Sequence, residues 1–244
     1  MYYKYKGQDI YYEITGVGPH LVMLHGWGVN SNSFSEIVKS IKTKYQVITI
    51  DLLGFGMSDE PHQPLTLDEY TESIYLLLSE LGVDCPIILG HSFGGRIAIK
   101  YARLHTVSSI ILVDSAGIRH RSLKIRYKII SYKIKKHIYR IFRPKKLKEL
   151  MNNTGSSDYR NATNIMKKTM SNVINIDLKN DIKKLKCETL ILWGFNDQVT
   201  PIEDAHFINQ NVKASKLIIF YNSGHFPYLD EQDKFTKILM NGGL

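Results

Sequence analysis

Residues 86–102 read Pro86-Ile87-Ile88-Leu89-Gly90-His91-Ser92-Phe93-Gly94-Gly95-Arg96-Ile97-Ala98-Ile99-Lys100-Tyr101-Ala102, and no other stretch says as much about the architecture. The run Pro86 to Leu89 is short, apolar and β-branched, the pattern of a buried strand. Gly95 to Leu104 follows as a helix. Between them, Gly90 to Gly94 has the spacing G-x-S-x-G, a sharp strand-to-helix turn that lifts the serine hydroxyl above the sheet edge. The glycines let strand and helix approach without a Cβ clash. The helix N-terminus then favours negative charge developing at that point. Ser92 is therefore a candidate nucleophile. The plainer alternative is a Gly-rich turn ahead of an ordinary helix; the apolar strand directly before the motif and the helix directly after it favour the nucleophile.

Outward from this turn, strand and helix patterns alternate. Leu21 to Leu24 is a short apolar run, Phe34 to Ile41 is helical, and Gln46 to Asp51 is a β-branched strand. Thr66 with Glu69 forms a capping box that opens a helix closed by Gly82. Ser109 to Val113 is the next strand. Upstream, Tyr2 to Lys6 and Ile10 to Thr15 flank Gly7-Gln8 as a hairpin. From about Ala116 to Lys184 the alternation stops and helical periodicity takes over. It resumes with a strand at Thr189 to Trp193, a helix near Ile202 to Ile208, a strand at Lys216 to Tyr221 and a helix from about Pro227. Such alternation implies an α/β class with a mostly parallel central sheet covered by helices on both faces. Residues 1–115 and 185–244 are expected to form this core, and residues 116–184 a helical insertion.

A serine hydroxyl becomes a strong nucleophile only beside a base, and the base needs an orienting acid. Trp193-Gly194-Phe195-Asn196-Asp197 places an acid just after one strand, and Ser223-Gly224-His225 a histidine just after the last. Both lie on strand-end loops, the edge where such sheets bind ligands. Singly, Asp197 reads as a turn or N-cap residue and His225 as a packed loop histidine. In the order Ser92, Asp197, His225 they read as a triad. Asp114, which ends the strand Ile111-Leu112-Val113, is the rival acid. The helix after Trp193-Gly194-x-x-Asp197 favours Asp197 and leaves Asp114 structural. His25-Gly26-Trp27-Gly28 follows the Leu21 to Leu24 strand, so the backbone N–H groups of Trp27 and Phe93 are candidate oxyanion donors.

Together these residues resemble the α/β-hydrolase superfamily over nearly the whole chain. The resemblance is carried by HGWG at His25 to Gly28, DLLGFGMSD at Asp51 to Asp59, GHSFGG at Gly90 to Gly95, WGFNDQVTP at Trp193 to Pro201 and GHFPYLDE at Gly224 to Glu231. It implies the α/β-hydrolase fold and a serine hydrolase of the carboxylesterase-like branch, acting on a small-molecule ester. Carbon–carbon hydrolases, thioesterases and carrier-bound methyl esterases share the same groups, and a non-catalytic ligand-binding relative would keep the fold alone. Serine at position 92 departs from the branches that use aspartate there. The resemblance also makes the 116–184 insertion a helical lid, with Met151, Ile165, Met166 and Met170 spaced for an apolar underside.

Composition fits a soluble globular chain: 244 residues, 43% hydrophobic and 23% charged. Cys85 and Cys187 stand far apart and read as reduced thiols. The N-terminus has no apolar leader and no stretch is apolar enough to span a bilayer, so the expected location is cytoplasmic. No metal or organic-cofactor motif is present. The net charge of +9 is concentrated: residues 119–149 hold thirteen Lys/Arg against one acid, Glu149. Within that segment Leu123, Tyr127, Ile130, Ile134, Ile138 and Ile141 fall on one helical face, giving a basic amphipathic helix. A merely solvated cationic face is the plain reading. The functional one is docking of an acidic carrier protein or an anionic surface. Nucleic acid is not expected, since no recognition motif accompanies the charge.

Overall fold

The computed structural model describes residues 1–119 and 162–242, together with residues 139 and 160. The basic helical face and Met151 lie outside the described residues. Numbered over the described residues, the strands are β1 (Tyr2–Tyr5), β2 (Gln8–Gly16), β3 (His20–Leu24), β4 (Gln46–Ile50), β5 (Ile87–His91), β6 (Ser109–Val113), β7 (Glu188–Gly194) and β8 (Ser215–Phe220). The helices are α1 (Ser35–Ile41), α2 (Leu67–Glu80), α3 (Phe93–Leu104), α4 (Asn164–Ile174), α5 (Lys179–Ile182), α6 (Ile202–Asn211), α7 (Pro227–Asp230) and α8 (Gln232–Met240). A 3₁₀ turn, Ser31–Phe34, leads into α1.

The eight strands form one sheet in the order β1-β2-β4-β3-β5-β6-β7-β8. The β1–β2 and β2–β4 pairs are antiparallel and all the others parallel. The first hairpin turns through Lys6 and Gly7, both at positive φ, as a two-residue loop between right-twisted strands requires. Residues alternate between the two faces: Val22 and Leu24 join the core beneath α2, α3, α5 and α6, while Leu21 and Met23 join the core beneath α1, α7 and α8. That two-sided burial is why the parallel strands are continuous apolar runs. The chain leaves β3 toward β4 on one side and returns to β5 on the other. The sheet's switch point thus lies between the carboxyl ends of β3 and β5, where open α/β sheets leave a crevice.

The capping box forms as expected, with Thr66 and Glu69 bonding reciprocally to backbone N–H groups. The serine turn is tighter than its sequence suggests. Gly90 and His91 continue the ladder opposite Leu112 and Val113, and α3 begins at Phe93, leaving Ser92 alone between strand and helix. Among residues 162–184, α4 is capped by Thr163 and tied to the core by Thr169, whose hydroxyl accepts from the Leu65 N–H at 3.0 Å. Val173, Leu178 and Ile182 join the main core. Among the described residues no helix is long and apolar enough to cross a membrane.

Candidate active site

Ser92 adopts φ 50° and ψ −106°, a conformation that L side chains rarely occupy and that costs about 1–3 kcal/mol. Its surroundings over-determine it. The Ser92 N–H donates to Val113 O at 3.0 Å, and the Ser92 carbonyl accepts from Gly95 and Ala116 at 3.1 and 3.0 Å. A glycine at position 94 is required, since a Cβ there would stand 2.1 Å from the Leu24 carbonyl oxygen. The result is a half-buried serine held rigidly at the switch point, at the N-terminus of α3.

The structure brings Ser92, His225 and Asp197 together across the ends of β5, β7 and β8. His225 Nε2 lies 3.0 Å from Ser92 Oγ, and His225 Nδ1 lies 2.7 Å from Asp197 Oδ2. The two oxygens of Asp197 divide its work. Oδ1 accepts from the N–H groups of Val199 and Thr200 at 2.6 and 3.2 Å, closing the turn after β7. Oδ2 faces His225 and also accepts from the Thr200 hydroxyl. Burial would raise the Asp197 pKa, but bonds from His225 and Thr200 outweigh it and hold the carboxyl below its ordinary value. Trp193, fully buried, donates its indole N–H to Thr200 O at 3.0 Å and fixes the loop. The His225 loop is anchored by Asp230, whose Oδ2 accepts from Ser223 Oγ and the Gly224 N–H at 2.8 and 2.9 Å.

Asp114 lies nearby but plays a different part. It is fully buried, its Oδ1 accepts from the Gly194 N–H at 2.9 Å, and its Oδ2 has no hydrogen-bond partner. Burial, with the neighbouring Asp197 charge, pushes its pKa up to about 9, so it is a neutral acid at pH 7. Asp114, Asp197 and His225 each have a ligand-type atom within 4.8 Å of the others. Their hydrogen bonds do not fit a metal: the atoms of Asp197 and His225 that face each other are already paired.

The His25–Gly28 loop is set beside the serine by buried polar contacts. His25 Nε2 accepts from the Leu52 N–H at 3.0 Å while Nδ1 donates to Gly26 O at 2.7 Å, and burial lowers its pKa to about 4. Asp51 organises the following loop, accepting from the Ser31 and Met57 N–H groups at 2.8 Å each. Trp27, half-buried, packs edge-on against Phe55 and Phe93 at 4.9 and 5.4 Å between ring centroids. Met166 is buried against Gly54, while Ile165 and Met170 are half-buried on the same helix.

Residues 19–129 match the profile of the alpha/beta hydrolase fold family. An esterase from Exiguobacterium antarcticum superposes with a TM-score of 0.77 at 28% identity, covering 96% of this chain and 95% of that one. The chain has the α/β-hydrolase fold. An AB hydrolase superfamily protein of Bacillus subtilis is 27% identical over 94% of this chain and 93% of its own length. The pimeloyl-[acyl-carrier protein] methyl ester esterase of Nitrosomonas europaea is 26% identical over 93% and 97%.

Thr200, His91 and Tyr228 join the site without standing out in the sequence as candidates. Thr200 sits inside the quoted WGFNDQVTP segment, and a hydroxyl three residues after an acid in a tight turn is the signal that points to it. His91, adjacent to Ser92, occupies the variable position of the motif.

Proposed function

We propose that this α/β-hydrolase cleaves carboxylic esters of small or medium apolar acyl groups through an acyl-enzyme on Ser92. The observation that carries the reading is the unbroken hydrogen-bond chain from Asp197 through His225 to Ser92, ending on a strained elbow at the switch point. Ser92 Oγ attacks the ester carbonyl carbon while its proton passes to His225 Nε2. The oxyanion so formed is met by the backbone N–H groups of Trp27 and Phe93. Phe93 is the first residue of α3, where a helix has no internal partner for its N–H. Each such donor is typically worth about 3 kcal/mol at the transition state. The C–O bond then breaks, the leaving alkoxide takes the proton from His225, and water repeats the sequence on the acyl-enzyme to release the acid. Throughout, ionised Asp197 keeps Nδ1 protonated, so that Nε2 is free to accept. The aromatic group of Trp27, Phe55 and Phe93 beside the elbow supports an apolar acyl group.

The basic segment at residues 119–149 and the likeness to a carrier-protein methyl esterase favour a second reading, an ester borne on an acidic carrier. It separates from the first by salt. A carrier-bound ester should lose rate steeply with ionic strength, and Lys133, Lys135 and Lys136 changed to Gln should remove that advantage, whereas a neutral ester should be indifferent to both.

The direct test is a panel of p-nitrophenyl esters of increasing chain length, run beside an acyl-thioester and a vinylogous diketone. The expected result is the highest kcat/KM on short to medium esters. Turnover of the diketone with inert esters would replace ester cleavage by carbon–carbon cleavage.

A further inference from the structure

His91 is 1% exposed, yet it is an ionisable residue joined directly to Ser92. Its Nε2 lies 2.8 Å from the main-chain oxygen of His225, 134 residues away in sequence, and therefore carries the proton it donates. Its Nδ1 is left as an acceptor, facing the Tyr228 hydroxyl at 3.4 Å. The ring packs against those of His225 and Phe226, each 4.9 Å away between centroids. On its other side it meets the 25–28 loop so closely that a Cβ on Gly26 would stand 2.9 Å from His91 Nδ1 and 3.3 Å from Ser92 Cβ. One side chain thus touches the segments bearing the nucleophile, the base and a proposed oxyanion donor.

We propose that His91 is a positioning residue for the reaction at Ser92: its Nε2–H, donated to the His225 carbonyl, fixes the base's main chain relative to the adjacent nucleophile. The inference rests on the proposed triad. The mechanical argument is short. His225 stands on a half-buried loop that follows β8, whereas His91 ends a central strand and is covalently next to Ser92. A bond from His91 to the His225 main chain ties the loop to the strand residue that immediately precedes the nucleophile. Burial keeps the ring neutral, its pKa lowered to about 3 mainly by desolvation and further by the nearby His225, so the donor–acceptor pattern is constant over the working pH range. A misplacement of about 1 Å between reacting groups can cost a hundredfold in rate.

The test compares His91→Leu, which removes the donor, with His91→Gln, whose amide can still reach the carbonyl. His91→Leu should lower kcat and the rate of fluorophosphonate labelling by ~10- to 100-fold with KM within twofold, since binding groups are untouched. His91→Gln should recover most of both. Wild-type rates in a folded His91→Leu variant would overturn the proposal, as would equal impairment of the two variants, which would make the role one of packing. Should His91→Leu not fold, imidazole nitrogen NMR on the wild type decides. His91 should be a neutral ring protonated at Nε2, in contrast to buried His25, protonated at Nδ1; a His91 ring protonated at Nδ1 would rule out the bond to His225. Failure of the triad itself would appear separately, as labelling that persists in Ser92→Ala whatever stands at position 91.

Discussion

Two aspartates end neighbouring strands, a few ångströms apart and both buried, and their acidities are shifted in opposite directions. Asp197, after β7, accepts from His225, Thr200 and two backbone N–H groups, and its carboxyl is held below its ordinary pKa. Asp114, after β6, accepts one backbone N–H and has an oxygen with no hydrogen-bond partner, and its pKa is pushed up to about 9. Asp114 is the more deeply buried of the two, and fewer donors are aimed at its carboxyl. A carboxylate serves as the orienting acid only where donors stabilise its charge. Only one of these two sites supplies them.

The largest expected effect is at Asp197. Asp197→Asn keeps an oxygen for the turn amides but presents an NH₂ group to His225 Nδ1, forcing the proton to Nε2, where it blocks transfer from Ser92. Turnover should fall by ~10⁴, as for the corresponding change in a serine protease. A loss below tenfold would mean that Asp114 can take over. Removing one donor to Asp197 should matter less. Thr200→Val deletes the hydroxyl bond to Oδ2, a charge-assisted bond worth about 1.5–3 kcal/mol, and should cost roughly tenfold in turnover with the fold intact. Unchanged turnover would show that His225 and the amides suffice.

The smallest catalytic effect is expected at Asp114. Asp114→Asn replaces a neutral acid by a neutral amide that can still accept from the Gly194 N–H, so turnover should stay within a few-fold of wild type. Its signature lies in stability against pH. The wild-type acid has a folded pKa raised from 3.8 to about 9, so its contribution is fully present below pH 4 and is lost as pH rises through 9. The Asn variant lacks that titration, and its Tm relative to wild type should climb between pH 4 and pH 9. Parallel Tm curves would place Asp114 among ordinary ionised carboxylates.

Much of this was legible beforehand. The alternation of apolar strands with amphipathic helices is a local pattern, and Gly90 to Gly94 marks its own turn because so tight a bend admits few residues. The order Ser92, Asp197, His225, proposed here as a triad, stands out in the sequence because each follows a strand. The choice between Asp197 and Asp114 was only a preference, since His225 reaches the Asp197 carboxylate from 28 residues away through the tertiary fold. His91 was invisible for the same reason: its partner is a main-chain carbonyl 134 residues away, and a backbone oxygen leaves no mark in sequence. The strand boundaries moved because Gly90 and His91 gain ladder partners in β6 that no local pattern reveals.

The central claim is that Ser92 Oγ is the nucleophile, activated by His225 and held by Asp197. Fluorophosphonate labelling of the whole chain, read by intact mass, measures it most directly. Wild type should gain one adduct, located on Ser92 by peptide mapping, while folded Ser92→Ala should gain none. One adduct of equal yield on Ser92→Ala would contradict the account.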